Sequence, residues 1–219
     1  MSLRRLAALV ALAALVVGVG TASARDPRLE QQRLTPADMR LARGAVLKRG
    51  DLATGWRSLA VPSADGERLS CPGFDPDFSR FTITGRAVAA FAHPDGVSVT
   101  TAVEVYRSRA DAAGDFRVGT QPGVVRCLRK VLADAFAAGG AVPLRVRSAR
   151  QVAAPRVGDR TAAYRVVASL DANGTPVPLY LDVLVFGRGR SLATLMAVSA
   201  YHSMGDRTLL ARTMAARMR

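Results

Sequence analysis

Few residues of this chain have types suited to chemistry: two cysteines, two histidines and one tryptophan. Cys71 and Cys127 are too far apart for a C-x-x-C redox pair, and neither lies in a nucleophile setting with suitably spaced His and Asn. An even number of thiols in an oxidising compartment pairs, and two allow a single intramolecular connectivity. The alternative is two buried free thiols. His93 lies in the turn sequence His93-Pro94-Asp95-Gly96 and His202 follows a strand-like run; neither has Cys, Asp or Glu at ligand spacing. Both therefore read as exposed or hydrogen-bonded imidazoles, and no metal site is expected. Asp75 and Asp77 flank Pro76, a pair that reads as a solvated loop before a cation site. Gly187-Arg188-Gly189-Arg190-Ser191 faintly resembles a phosphate loop. It precedes a strand, however, so no helix dipole backs it, and a hairpin turn and no cofactor are expected. Asn173-Gly174-Thr175 matches a glycosylation sequon, and a turn explains it. No G-x-S-x-G elbow is present, and no residue is assigned a catalytic role. Trp56 has two readings, packing over a sheet edge or forming the aromatic wall of a ligand cleft.

The first 24 residues read as an export signal. Arg4 and Arg5 supply a positive start, an apolar run covers 6–19, and Ala22-Ser23-Ala24 sets cleavage between Ala24 and Arg25. The run is short of the ~20 residues that span a bilayer. No cysteine stands at the cleavage point, so no lipid anchor is expected, and a secreted or extracytoplasmic product follows.

A chain of 219 residues has room for one domain, and a 49% hydrophobic content can bury a core. Loss of Arg4 and Arg5 with the signal takes the net charge from +14 to +12. Nearly all of the 31 basic residues are arginines, a bias that GC-rich codon usage explains. They are scattered, and aromatics make up only 5%, which argues against nucleic acid. Electrostatic contact with anionic envelope polymers stays open.

These residues need elements to position them. Residues 25–34 are polar and read as a flexible leader, with a single domain over 35–219. Thr35 caps a helix, Pro36 and Asp38 suit its first turn, and Gly50 stops it. Asp51 to Trp56 is a turn into a short extended piece at 57–61, and 63–80 is a loop pinned at Cys71. Strands at 82–92 and 97–106 flank a hairpin turn, with Val97, Val99, Thr101, Val103 and Val105 on one face. Ser108 caps a helix to about 118. A second helix, ended by Gly139-Gly140, places Val124, Leu128, Val131, Leu132, Ala135 and Phe136 on one stripe next to Cys127. Strands at 144–153, 161–170, 177–186 and 191–201 follow, the last two apolar on both faces and hence central. A basic helix at 203–218 closes the order α-β-β-α-α-β-β-β-β-α. The expectation is an α+β domain with a mainly antiparallel sheet of about six strands and helices packed on it.

Asp51-Leu52-Ala53-Thr54-Gly55-Trp56, the Cys71 loop, the strand 85–91, Val103-Glu104-Val105-Tyr106-Arg107-Ser108, Ala112 to Phe116, Cys127-Leu128 and Val157-Gly158-Asp159 carry a resemblance. Over about residues 45–200 the chain resembles the secreted actinobacterial PknH-like extracellular sensor domains and LpqN-type proteins, related to the PsbP-like fold. That resemblance implies a binding or sensing domain of the cell envelope. The expected function is an exported non-enzymatic binding domain, its ligand an unknown small molecule or envelope component between the sheet and the Trp56/Cys71 region. The alternatives are an unrecognised extracellular hydrolase using His93 or His202, and a cationic protein held on anionic cell-wall polymer.

Overall fold

A computed structural model describes residues 26–61, 68–138, 144–172, 175–200 and 205–218. The export segment with Ala24 and Arg25, the Gly139-Gly140 stop, the Asn173-Gly174 turn and His202 lie outside the described residues. Strands β1 (Gln31–Gln32), β2 (Arg57–Leu59), β3 (Thr82–His93), β4 (Val97–Tyr106), β5 (Leu144–Val152), β6 (Arg160–Ala172), β7 (Thr175–Arg188) and β8 (Ser191–Ala200) form one sheet. Its order is β1-β3-β4-β8-β7-β6-β5, with β2 also pairing β3. Every pairing is antiparallel except β1 with β3. The helices are α1 (Pro36–Ala45), α2 (Arg109–Gly119), α3 (Gly123–Ala138) and α4 (Arg207–Arg217). The α+β class and the antiparallel sheet are as expected. The strands beyond six are the short β1 and β2, both on the outer edge of β3.

Local chemistry accounts for the element boundaries. Thr35 Oγ1 accepts the Asp38 N–H at 3.2 Å and Pro36 fills the first turn of α1. Ser108 Oγ accepts the Asp111 N–H at 3.0 Å to start α2. Helix α1 ends at Ala45 rather than running to Gly50, because Val46 turns extended and, with Leu47, buries in the core. A short 3-10 turn at Arg49–Asp51 then takes the chain onward. The leader also differs from expectation. Residues 31–35 run beside β3, with the Gln31 N–H donating to Phe81 O at 2.9 Å and the Arg33 N–H to Ile83 O at 2.9 Å. Backbone pairing at a sheet edge needs no apolar pattern, so composition alone does not reveal it.

The sheet is covered on both faces, as the apolar β7 and β8 require. On one face α1 and α4 pack over Phe91, Val99, Val103, Val105, Leu184, Phe186, Leu195 and their neighbours. On the other, α2 covers Ile83, Tyr106 and Leu192, and α3 covers Val166, Leu170, Leu181 and Val198. Ion pairs fasten the elements across long stretches of chain. Arg190, in the β7–β8 turn, reaches Asp38 of α1 at 2.5 and 2.9 Å. Arg217, at the end of α4, reaches Asp51 at 2.5 and 2.7 Å.

Candidate functional site

Cys71 and Cys127 form a disulfide with their Cα atoms 5.6 Å apart. Cys127 is fully buried on α3 among Phe74, Val124, Ala162 and Tyr164. Cys71 closes a tight turn with Phe74, the two exchanging backbone hydrogen bonds at 2.9 and 2.8 Å. The bridge therefore fastens the loop to the amphipathic helix, as the helical spacing around Cys127 implies. From there the chain runs over α2: Phe78 and Phe81 bury against Ile83, Tyr106, Ala112 and Val118. This approach depends on Gly114, since a Cβ there would stand 2.5 Å from the Phe81 ring.

Between this segment and α2 lies an open groove of about 460 Å3, lined by Arg80, Phe81, Ala110, Gly114, Arg117, Val118 and Gln121. A neighbouring hollow of about 320 Å3 shares Arg80, Val118 and Gln121 and adds Pro76 and Asp77. The Arg80 guanidinium lies over the Phe81 ring, 4.9 Å from its centroid, which holds the cation at the rim. Arg117 is exposed on the opposite wall. The Asp77 carboxyl sits below its usual range because Ser79 hydrogen-bonds it, the Ser79 N–H donating at 2.8 Å.

Beneath the groove, on the inner side of α2, is a buried ionic cluster. Arg68 Nη2 meets Glu104 at 2.9 Å, Asp115 at 3.2 Å and also Glu30, while its guanidinium lies 4.9 Å from the Phe78 ring centre. The fully buried Tyr106 hydroxyl lies 2.8 Å from Asp115 Oδ2 and 3.0 Å from Glu104 Oε2. Arg86 stands 3.5 Å from the other Glu104 oxygen. The phenol has one proton for two carboxyl groups, and three carboxylates face two guanidiniums. One further proton balances the charge. Burial pushes the Asp115 carboxyl up against the pull of Arg68, and Glu104 and Glu30 add to the rise, to about 8. Burial acts the same way on Glu104, but Arg68 and Arg86 outweigh it and hold that carboxyl below its usual range. Burial and the adjoining Glu104 and Asp115 raise the Tyr106 phenol well above its usual value. Burial and the neighbouring carboxylates therefore favour the protonated form of Asp115.

The other sequence candidates are dispersed. Trp56 is half-buried against the α1/α4 core, with its ring 5.5 Å from that of His93. His93 Nδ1 accepts the Asp95 N–H at 3.3 Å. Gly55 has φ +94 and no room for a Cβ beside His93, so the Asp51–Trp56 signature is accounted for by packing and by the Asp51–Arg217 pair. The disulfide lies on the other sheet face, so Trp56 and Cys71 do not share a cleft. Asp75 pairs with Arg28 and accepts from Ser70 Oγ at 2.9 Å, apart from Asp77. Gly189-Arg190 is a hairpin turn, as expected. No functional role was read from the sequence for Glu30, Arg68, Arg80, Glu104, Asp115 or Arg117, although Glu104 and Asp115 lie in segments that carry the resemblance. Glu104 and Tyr106 alternate with the valines of β4 and so face away from them, which is the one signal that a second buried face held polar groups.

No protein-family model matches the chain, and no curated protein does. Among solved structures, the extracellular domain of PknH from Mycobacterium tuberculosis aligns at 9% identity and a TM-score of 0.37, over 62% of this chain. The chain spans just under two thirds of that domain, 64%. LpqN of Mycobacterium tuberculosis, described as involved in cell envelope biogenesis, aligns at 12% identity and a TM-score of 0.27, over 76% of each chain. At such values the likeness is remote.

Proposed function

We propose that this chain is a non-enzymatic binding domain of the extracytoplasmic space, and that its ligand is a small molecule bearing an acidic group, held in the groove beside α2. The observation that carries this reading is the groove itself. Its volume is of ligand size, its wall mixes Phe81, Ala110 and Val118 with Gln121, and it sets Arg80 and Arg117 around an apolar floor. Guanidiniums in such a setting favour carboxylate or phosphate by charge-assisted hydrogen bonds. The proposed compartment draws support from the Ala22-Ser23-Ala24 segment and from the cystine, which persists where thiols are oxidised.

Ligand-observed NMR against a panel of small carboxylates and phosphates tests the reading. Hits should be enriched in aryl or alkyl acids over their neutral amides. They should weaken about tenfold or more in the Arg80→Ala/Arg117→Ala variant, the equivalent of about 1.4 kcal/mol. Hits indifferent to both substitutions would remove the groove as the site.

A further inference from the structure

The outer strand β5 carries Arg145, Arg147 and Arg150, all exposed. In a regular strand, residues 145 and 147 share one face and residue 150 lies on the other. The pairing with β6 breaks that rule. Val146 stands opposite Ala168 and Ser148 opposite Val167, which leaves Arg147 as the extra residue of a bulge. The phase of the strand shifts by one at that point. Arg145 then lies opposite Ser169 and Arg150 opposite Arg165, and both partners are on the side of β6 away from α3. The bulge thus sorts three arginines onto one face of one strand, over about 16 Å at ~3.3 Å per residue.

The same side of β6 supplies a fourth cation. Arg165 Nε donates to Asp182 at 2.7 Å, while its Nη2 is buried with no hydrogen-bond partner. On β6 and β7 the acidic residues of this side are Asp182, held between Arg165 and Arg207, and Asp171 at the far end of β6, and Asp206 stands exposed at the start of α4 on the same face. The side chains of Arg145, Arg147 and Arg150 make no ion pair or hydrogen bond among the described residues. Charges that merely guard an edge against strand pairing serve from either face. Gathering them on one face meets a different need.

We infer that this face of β5 is a docking surface for an extended polyanion, a chain carrying a carboxylate or phosphate at intervals similar to the arginine spacing. A row of cations along a single strand matches a linear chain by charge and by shape. The surface is separate from the groove beside α2, on the opposite side of the sheet, and the two stand or fall independently.

The test compares the full exported chain with Arg145→Glu/Arg147→Glu/Arg150→Glu and with the scattered control Arg43→Glu/Arg109→Glu/Arg129→Glu. Both variants have the same net charge, and glutamate keeps the β5 edge charged against aggregation. Binding is measured at low and physiological salt to polygalacturonate, to poly(glycerol phosphate) and to phosphatidylglycerol vesicles. The expected result is binding to at least one polymer, weakened about tenfold or more by the strand variant and less than about threefold by the control. Which polymer binds identifies carboxylate or phosphate as the recognised group. Equal losses in the two variants would reduce the interaction to general attraction and overturn the inference. Binding to neither polymer, or to vesicles alone, would overturn it too.

Discussion

Burial favours the protonated form of Asp115 in the folded chain, where an ordinary aspartate ionises. Its folded carboxyl titrates near 8 against an ordinary value of 3.8, so between those limits the folded state binds one proton more than the unfolded state. Stability therefore falls as pH rises through that window, by on the order of 1 kcal/mol per pH unit, and levels off above it. Glu104 works in the opposite sense at the acid end. Its lowered carboxyl contributes stability above its ordinary 4.5, and that contribution is lost as pH falls through its folded value. Urea unfolding at a series of pH values from 5 to 9 should show the decline. Asp115→Asn, which stays neutral at every pH, should flatten it; an unchanged slope in that variant would mean the proton is held elsewhere. The cluster was scarcely legible beforehand. Glu30 and Arg68 reach it from irregular segments, and a side chain's partner across 36 residues, as for Arg68 and Glu104, leaves no local pattern.

Elements were far more legible than partners. Caps at Thr35 and Ser108, the Gly96 turn and the alternating valines of β4 are local signals, and each produced the element it predicted. The short β1 was missed, and β2 was read only as an extended piece at 57–61, because both exist as strands only by pairing with β3. The groove was missed for a similar reason, since its walls come from a loop and a helix with no shared motif. Gly114 is the residue on which that wall spacing turns. Gly114→Ala improves helix propensity by about 1 kcal/mol, yet its methyl meets the Phe81 ring. Phe81 is buried and cannot swing away freely, so the expected net effect is a loss of about 1–3 kcal/mol, read as a lower urea midpoint with an unchanged m value.

At the scale of the whole molecule the disulfide is the feature most completely anticipated, in its pairing and in the helix it grips. It closes a sequence separation of 56 residues, and on the chain-entropy model such a loop contributes about 4 kcal/mol. Cys71→Ala/Cys127→Ala should lower the unfolding free energy by about 2–4 kcal/mol. The damage should centre on the 71–81 segment, where amide exchange should accelerate more than in β7 and β8. Uniform acceleration throughout the chain would mean that the bridge secures no particular element. The expected Trp56/Cys71 cleft failed at this scale, because sequence proximity says nothing of which sheet face a residue joins.

The strand order has a further consequence for how the molecule is put together. β3 and β4 form one hairpin, β5 to β8 form a continuous meander, and the two meet only where β4 pairs with β8, from Val97 opposite Ser199 to Val105 opposite Ser191. That seam lies in the middle of the sheet and joins segments about a hundred residues apart, the costliest closure in the fold. A chain emerging from its N-terminus must therefore wait for its last strand before the sheet has a centre. Until β8 arrives, the inner edges of β4 and β7 stand open together, and assembly is completed from the middle of the sheet rather than at its rim.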